Sequence, residues 1–290
     1  MRNYLKALLV VLLACFFAWL LWFLVRDSVI PVLQPEGAIA TEERNLIVIA
    51  SILMLAIVLP VFALTAIISW RYRATNTSAK YLPNWEHNNT EEFIWWAVPC
   101  IVIVILAGIT WKSSYELDPF KPLPGKDEVI EVVALDWKWL FIYPRENIAT
   151  LNYVEFPAGV PIEFRVTSDA PMNSFWIPQL SGQIYAMSGM VTQLHLVADE
   201  PGTYAGSSAN ISGNGFAGMR FAAKAVTLQE FQQWASSTES LPIALDPAAY
   251  NELLKPSMND TVRYYGRVQP GIFNKIFSQY DATMQMNMSH

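Results

Sequence analysis

Two long apolar runs constrain this chain more than anything else in it. Residues 46–70 pass 25 positions without a charge, and residues 93–111 pass 19 more, broken only by Pro99. At about 1.5 Å of rise per residue, a helix over either run is long enough for the roughly 30 Å hydrocarbon core of a bilayer. A third apolar run, residues 7–25, follows a start carrying Arg2 and Lys6. The sequence therefore has to be placed in a membrane before its folded part can be considered.

Basic residues in short loops set the orientation. Arg71, Arg73 and Lys80 lie between the two long runs, so that loop is expected on the cytoplasmic side. Residues 27–44 and everything after Trp111 then face the other side. This implies a multi-pass membrane protein with its C-terminal domain on the outer side. Residues 1–27 read either as a signal peptide or as an N-terminal transmembrane helix. Leu12-Leu13-Ala14-Cys15 has the look of a lipoprotein cleavage box, yet apolar residues continue past Cys15, where a lipoprotein would turn polar.

The charge balance differs along the chain. Residues 1–111 hold seven basic and seven acidic side chains, whereas residues 112–290 hold twelve and eighteen. An acidic outer domain excludes nucleic acid as a partner. Cys15 and Cys100 are the only cysteines and both sit in apolar runs, so the outer domain has neither a disulfide nor a thiolate. His87, His195 and His290 show no ligand spacing.

From Glu128 onward the pattern is that of short strands. Val129, Glu131 and Val133 lead into a run, residues 136–143, rich in β-formers. Residues 160–167, 191–197, 202–206 and 219–227 are further candidates, separated by Pro157-Ala158-Gly159, Pro178 and Pro201-Gly202. Such punctuation indicates a β-sandwich or barrel. Helical patterns follow at residues 228–235, 247–254 and 271–280. The domain plan is thus residues 28–112 as two transmembrane helices with a cytoplasmic loop, 113–228 as the outer domain, and 229–290 as a helical, aromatic-rich extension. The tail from Met284 to His290 is rich in soft ligands, but a frayed end accounts for it more simply.

Two stretches carry a resemblance. Residues 168–178 (Ser-Asp-Ala-Pro-Met-Asn-Ser-Phe-Trp-Ile-Pro) and 201–219 (Pro-Gly-Thr-Tyr-Ala-Gly-Ser-Ser-Ala-Asn-Ile-Ser-Gly-Asn-Gly-Phe-Ala-Gly-Met) resemble the copper-site loops of the cytochrome oxidase subunit II family. There the pattern is a His before Ser-Phe/Trp-x-x-Pro, then Cys-x-Glu-x-Cys-Gly-x-x-His-x-x-Met. The resemblance implies a membrane-anchored α+β chain, with a transmembrane helical hairpin followed by a cupredoxin-like β-sandwich and a helical C-terminal extension. Position by position, Asn173 stands for the first His, Ser208 and Ser212 for the cysteines, Asn210 for the Glu and Phe216 for the second His. Met219 alone remains. A binuclear copper centre needs bridging thiolates, and hydroxyl, amide and phenyl groups do not replace them. The family's Mg²⁺ site loses a carboxylate with Asn210.

These losses are similar to those of the quinol-oxidising branch, and residues 246–250 and 262–265 resemble the C-terminal extension of its cytochrome bo-type members. A water-soluble cytochrome c requires an outer copper relay, whereas ubiquinol reaches a haem from within the bilayer. The resemblance therefore implies a proton-pumping ubiquinol oxidase of the aerobic respiratory chain, in which ubiquinol is oxidised and O₂ reduced to water. Haem and copper would lie in a partner subunit I, accompanied by smaller subunits, and this chain would hold no cofactor of its own. Cytochrome c is not the expected donor. A cytochrome c oxidase subunit and a free-standing membrane-tethered binding protein are the other readings of the same fold.

Glu91-Glu92-Phe93-Ile94-Trp95-Trp96-Ala97-Val98-Pro99 resembles the family's Glu-x-x-Trp-x-x-x-Pro, whose Glu lies at the mouth of a proton channel in subunit I. The resemblance implies proton entry at Glu92, against the simpler role of complementing a helix N-terminus. Trp137, Trp139, Phe141 and Tyr143 are expected on one face of a strand, alternating with Asp136, Lys138, Leu140 and Ile142, in a packing or subunit-contact role. His195 is expected to be structural and Cys100 inert.

Overall fold

The computed structural model describes residues 30–80 and 87–288, with residues 16, 19, 20, 22, 23 and 26 of the earlier segment, and side chains as far as residue 280. Most of the first apolar run, Cys15 included, and the side chains of the Met-rich tail lie outside the described residues. Among the described residues before Pro35, which belong to a unit of their own, Pro31–Leu33 is a single 3-10 turn.

Helix α1 spans Ala38–Arg71 and helix α2 Asn89–Glu116; both are long and apolar enough to cross a membrane. Each extends beyond its apolar run, taking in Thr41 and Glu42 in α1 and Lys112 and Glu116 in α2. Pro60 and Pro99 lie inside them, a tolerated position when neighbouring groups take up the freed carbonyl. Asn88 caps α2, its side chain accepting from the backbone N–H groups of Thr90 (3.1 Å) and Glu91 (3.4 Å). Apolar side chains point outward along both helices: Phe62 is 69% exposed and Trp96 74%. That is the surface of an element solvated by lipid or by another membrane protein.

The outer domain is a two-sheet sandwich. One sheet holds β1 (Glu128–Leu135), β2 (Lys138–Tyr143), β3 (Ile148–Leu151), β5 (Ile162–Ser168) and β8 (Thr192–Leu196). The other holds β4 (Tyr153–Pro157), β6 (Asn173–Trp176), β7 (Ile184–Ala186), β9 (Gly202–Ser208) and β10 (Arg220–Val226). β1 runs parallel to β5, and β4 parallel to β10, while the remaining pairs in these two sheets are antiparallel. Between the sheets, Trp139, Phe141, Phe164, Phe175 and Phe221 are buried together. Phe175 and Phe221 stack at 5.2 Å, and Trp139 meets Phe175 edge-on at 5.4 Å, geometries that aromatic quadrupoles favour.

The aromatic run does not form a single strand. β1 ends at Leu135 and β2 begins at Lys138; Asp136 and Trp137 form the turn between them, with Trp137 at φ 63°. Nor does β2 alternate between core and solvent, since all six of its residues are buried. Trp139, Phe141 and Tyr143 enter the inter-sheet core, while Leu140 and Ile142 enter a second core on the outer face.

That second core is built by the C-terminal extension. Helix α3 (Leu228–Glu239) opens with a Thr227/Glu230 capping box. α4 (Pro247–Leu253) is capped by Asp246 with Pro247 in its first turn, and α5 runs Ile272–Met288. Leu245, Tyr250, Leu253, Tyr265, Val268, Phe273 and Ile276 cover Val133, Leu135, Leu140, Ile142 and Leu151. The extension is also partly β: β12 (Arg263–Tyr265) adds itself to β3 as the edge of the first sheet, and β11 (Ala244–Leu245) pairs with β13 (Arg267–Val268).

The sandwich is joined to the start of α1. Glu36 N–H donates to Gln179 O (2.8 Å), and Asp199 N–H donates to Glu36 O (3.1 Å). Gly37 is required at this joint, because a Cβ there would lie 2.6 Å from the backbone oxygen of Val197.

Candidate functional site

The loops that resemble a copper centre meet at one end of the second sheet. Asn173 opens β6 and Ser208 closes β9; both are buried. Ser208 Oγ donates to Asn173 Oδ1 at 3.0 Å and also lies 3.2 Å from Asn210 O. Asn173 Nδ2 donates to Pro171 O at 2.7 Å, and Asn210 Nδ2 to Met172 O at 2.9 Å. The two loops are therefore tied together by amide and hydroxyl bonds at the positions where the family places metal ligands. Ser208 N–H donates to Met219 O (3.1 Å), and the Met219 side chain is fully buried within the inter-sheet core. Ser212 joins none of these bonds: its carbonyl accepts from Trp137 Nε1 at 3.4 Å, and its Oγ is buried without a partner. Phe216 begins a 3-10 turn beside it, half-buried.

A binuclear copper cluster does not fit this donor set. Two bridging thiolates and two imidazoles are replaced by two alcohols, an amide and a phenyl ring, and hard neutral oxygens bind copper poorly. The amide of Asn173 and the hydroxyl of Ser208 are also occupied with each other. Trp137 completes the cap: Gly215 lies flat beneath its indole, where a Cβ would come within 2.4 Å of the ring. A left-handed tryptophan costs about 1–2 kcal/mol, and this close stack, together with the bond to Ser212 O, holds it.

Glu92 is remote from these loops. It occupies the first turn of α2, whose other end leads into the sandwich, about 36 Å away along the axis. Its Oε1 lies 3.3 Å from His87 Nδ1, and both side chains are mostly exposed. His87 is a neighbour that the sequence reading did not attach to Glu92. The signal for it was local, five residues upstream of the carboxylate and just before the Asn88 cap.

Sequence reasoning also missed how the extension is fastened. Asp169, in the first copper-like loop, accepts from Tyr250 Oη (2.6 Å), from Gln279 Nε2 (3.0 Å) and from Tyr280 Oη. Burial and the Asp169 charge push Tyr280 up to about 12 and Tyr250 further still, so both phenols remain donors. Lys138, expected on the strand face opposite the aromatic residues, is 2% exposed. Its Nζ donates to Lys255 O (2.9 Å) and Ser257 Oγ and lies 3.6 Å from Asp260 Oδ2.

Comparison with known proteins agrees with this architecture. Residues 102–226 match the family described as the cytochrome c oxidase subunit II periplasmic domain, and residues 240–284 match the COX aromatic-rich motif. The chain is 48% identical to cytochrome bo(3) ubiquinol oxidase subunit 2 of Pseudomonas aeruginosa over 250 residues, covering 86% of this chain and 76% of that one. It is 47% identical to ubiquinol oxidase subunit 2 of Acetobacter aceti over 262 residues, covering 89% and 85%. Among solved structures, the periplasmic domain of cytochrome oxidase subunit II of Bradyrhizobium japonicum aligns with a TM-score of 0.38 at 22% identity, over 39% of this chain and 94% of that one. With its membrane helices, its sandwich and an aromatic-rich extension matched along most of its length, the chain belongs to the ubiquinol oxidase subunit 2 family.

Proposed function

We propose that this chain is the anchoring, non-redox subunit of a proton-pumping ubiquinol oxidase in an aerobic respiratory chain. Its two helices pack against a subunit I that carries haem and copper, smaller subunits complete the complex, and the sandwich covers the periplasmic face. The single observation that carries this reading is the Asn173–Ser208–Asn210 bonding at the copper-like loops, which joins the loops with groups that do not ligate copper. A subunit built this way has no outer relay for a soluble electron donor, so electrons enter the complex from quinol in the bilayer. The multi-pass arrangement, the periplasmic placement and the identity of the partners belong to this proposal.

Glu92 is proposed as a proton-collecting carboxylate at the cytoplasmic end of α2. An exposed carboxylate beside the membrane is accessible to protons from water. The test is to purify the complex by mild detergent extraction of this chain, measure its metals, and assay it with a quinol and with reduced cytochrome c. Oxidation of quinol alone supports the reading; oxidation of reduced cytochrome c, or two coppers held by the outer domain, overturns it. For Glu92, the Glu92→Gln complex should assemble normally yet turn over or take up protons more slowly; unchanged rates reject the role.

A further inference from the structure

Asp127, Glu163 and His195 come together at the edge of the first sheet, away from the copper-like loops. Asp127 lies just before β1, Glu163 on β5 and His195 on β8, where Glu163 and His195 are register partners. One carboxylate oxygen from each acid and a ring nitrogen of His195 all lie within 4.8 Å of one another. Two carboxylates and an imidazole at this spacing make a donor set for a divalent ion.

Two further observations point to a ligand. Asp127 Oδ1 is shielded from solvent and accepts no hydrogen bond, although the residue as a whole is only half-buried; that oxygen keeps its lone pairs for a cation. His195 is 3% exposed, and its Nδ1 lies 3.0 Å from Pro119 O. A carbonyl only accepts, so Nδ1 donates, and in the neutral imidazole Nε2 is then the nitrogen open to a metal. This is the outer-sphere arrangement that orients a metal-binding histidine.

The surrounding charge is compatible with a cation. Arg165 donates to Glu163 Oε1 (2.8 Å) and Oε2 (3.3 Å), so the two acids and this arginine sum to one negative charge. Glu131, the strand partner of Arg165, lies within the field of the same guanidinium. Each Glu163 oxygen keeps a second lone pair for a metal. Donors of a tetrahedral zinc ion stand about 3.3 Å apart, so donor atoms spread over as much as 4.8 Å draw closer together to bind it.

We infer that Asp127, Glu163 and His195 bind one divalent transition-metal ion of the zinc type, with water as a fourth ligand, and thereby clip the connector from α2 onto the sandwich. The connector is already held there: His195 donates to Pro119 O from both its backbone (3.2 Å) and its ring, and Glu128 N–H donates to Pro161 O (2.9 Å). A metal joining Asp127 to β5 and β8 fixes its far end. The imidazole favours zinc over calcium or magnesium, which prefer all-oxygen shells. The inference does not depend on the oxidase assignment.

The test uses the full chain in detergent, stripped with a chelator and titrated with Zn²⁺ at pH 7 by equilibrium dialysis. Wild type is compared with Asp127→Asn and His195→Gln. Wild type should take up one equivalent more tightly than Asp127→Asn, by at least tenfold on the scale of lost metal-site partners. Zn²⁺ should slow proteolysis within residues 117–127 in wild type and not in that variant. Asp127→Asn removes a side chain with no hydrogen bond, so it keeps the fold even if His195→Gln does not. Equal uptake by wild type and Asp127→Asn, or no uptake by wild type, overturns the inference.

Discussion

The membrane helices and the sandwich of this chain are both rich in large apolar side chains and place them in opposite ways. Along α1 and α2, Phe62, Trp96, Val104 and Trp111 project outward, and Ala40 is the only buried residue in either helix. In the sandwich, Trp139, Phe141, Phe156 and Phe175 are wholly enclosed. The helices satisfy most of their backbone groups internally and leave their side chains for the surrounding medium. The sandwich gains its stability by removing side chains from water. A protein with both regions has two stabilities, one set by what surrounds it and one by its own interior.

The sharpest test of that contrast pairs one phenylalanine from each region. Phe141→Ala should destabilise the outer domain by about 3–5 kcal/mol. Phe62→Ala should leave its unfolding in detergent within about 0.5 kcal/mol of wild type. Chemical denaturation followed by near-ultraviolet circular dichroism measures both, and equal losses would break the comparison.

Next in size is Lys138→Met, which leaves Asp260 without its buried cation and Lys255 O without its donor. A cost of about 3 kcal/mol follows from breaking a buried pair, and the extension after residue 240 should become sensitive to protease before the sandwich does. Tyr250→Phe removes one of three donors to Asp169 and should cost about 1 kcal/mol, read as a lower melting temperature with the helices unaffected.

The smallest effect depends on pH. Burial, opposed by Arg165, pushes Glu131 up to about 6 from an ordinary 4.5. A group whose value is raised on folding contributes its full stability below about 4.5 and loses it as pH rises through about 6. After allowance for partial exposure, the loss between pH 5 and 7 is about 1 kcal/mol. Glu131→Gln should flatten that slope, and an unchanged slope would assign it to another group.

How far these regions could be read in the sequence follows from the same contrast. The apolar runs of α1 and α2 were legible because lipid imposes one rule on every position, and the copper-like loops were legible because turn residues and substituted ligands keep their spacing. The double burial of β2 was not. A strand covered on both faces loses its period-two signal, so Leu140 and Ile142 could not reveal the second core, and Lys138 could be placed only on the face opposite the aromatic residues. Trp137 was misplaced into a strand because propensity favours tryptophan there, while the glycines at 213 and 215 that shape its turn lie far along the chain. The Asp127–Glu163–His195 group was invisible for a related reason. Its members come from separate segments and share no local motif, and strand pairing alone brings them together.

The joint between Glu36 and the loops at Gln179 and Asp199 constrains how the molecule is made. Those hydrogen bonds link the entrance of the first long helix to segments synthesised well over a hundred residues later. Closing so large a loop is slow, because its entropy is lost before any contact compensates it. The outer end of that helix is therefore untethered at first, and it is fastened only after the ribosome has passed Asp199 and the sandwich has folded.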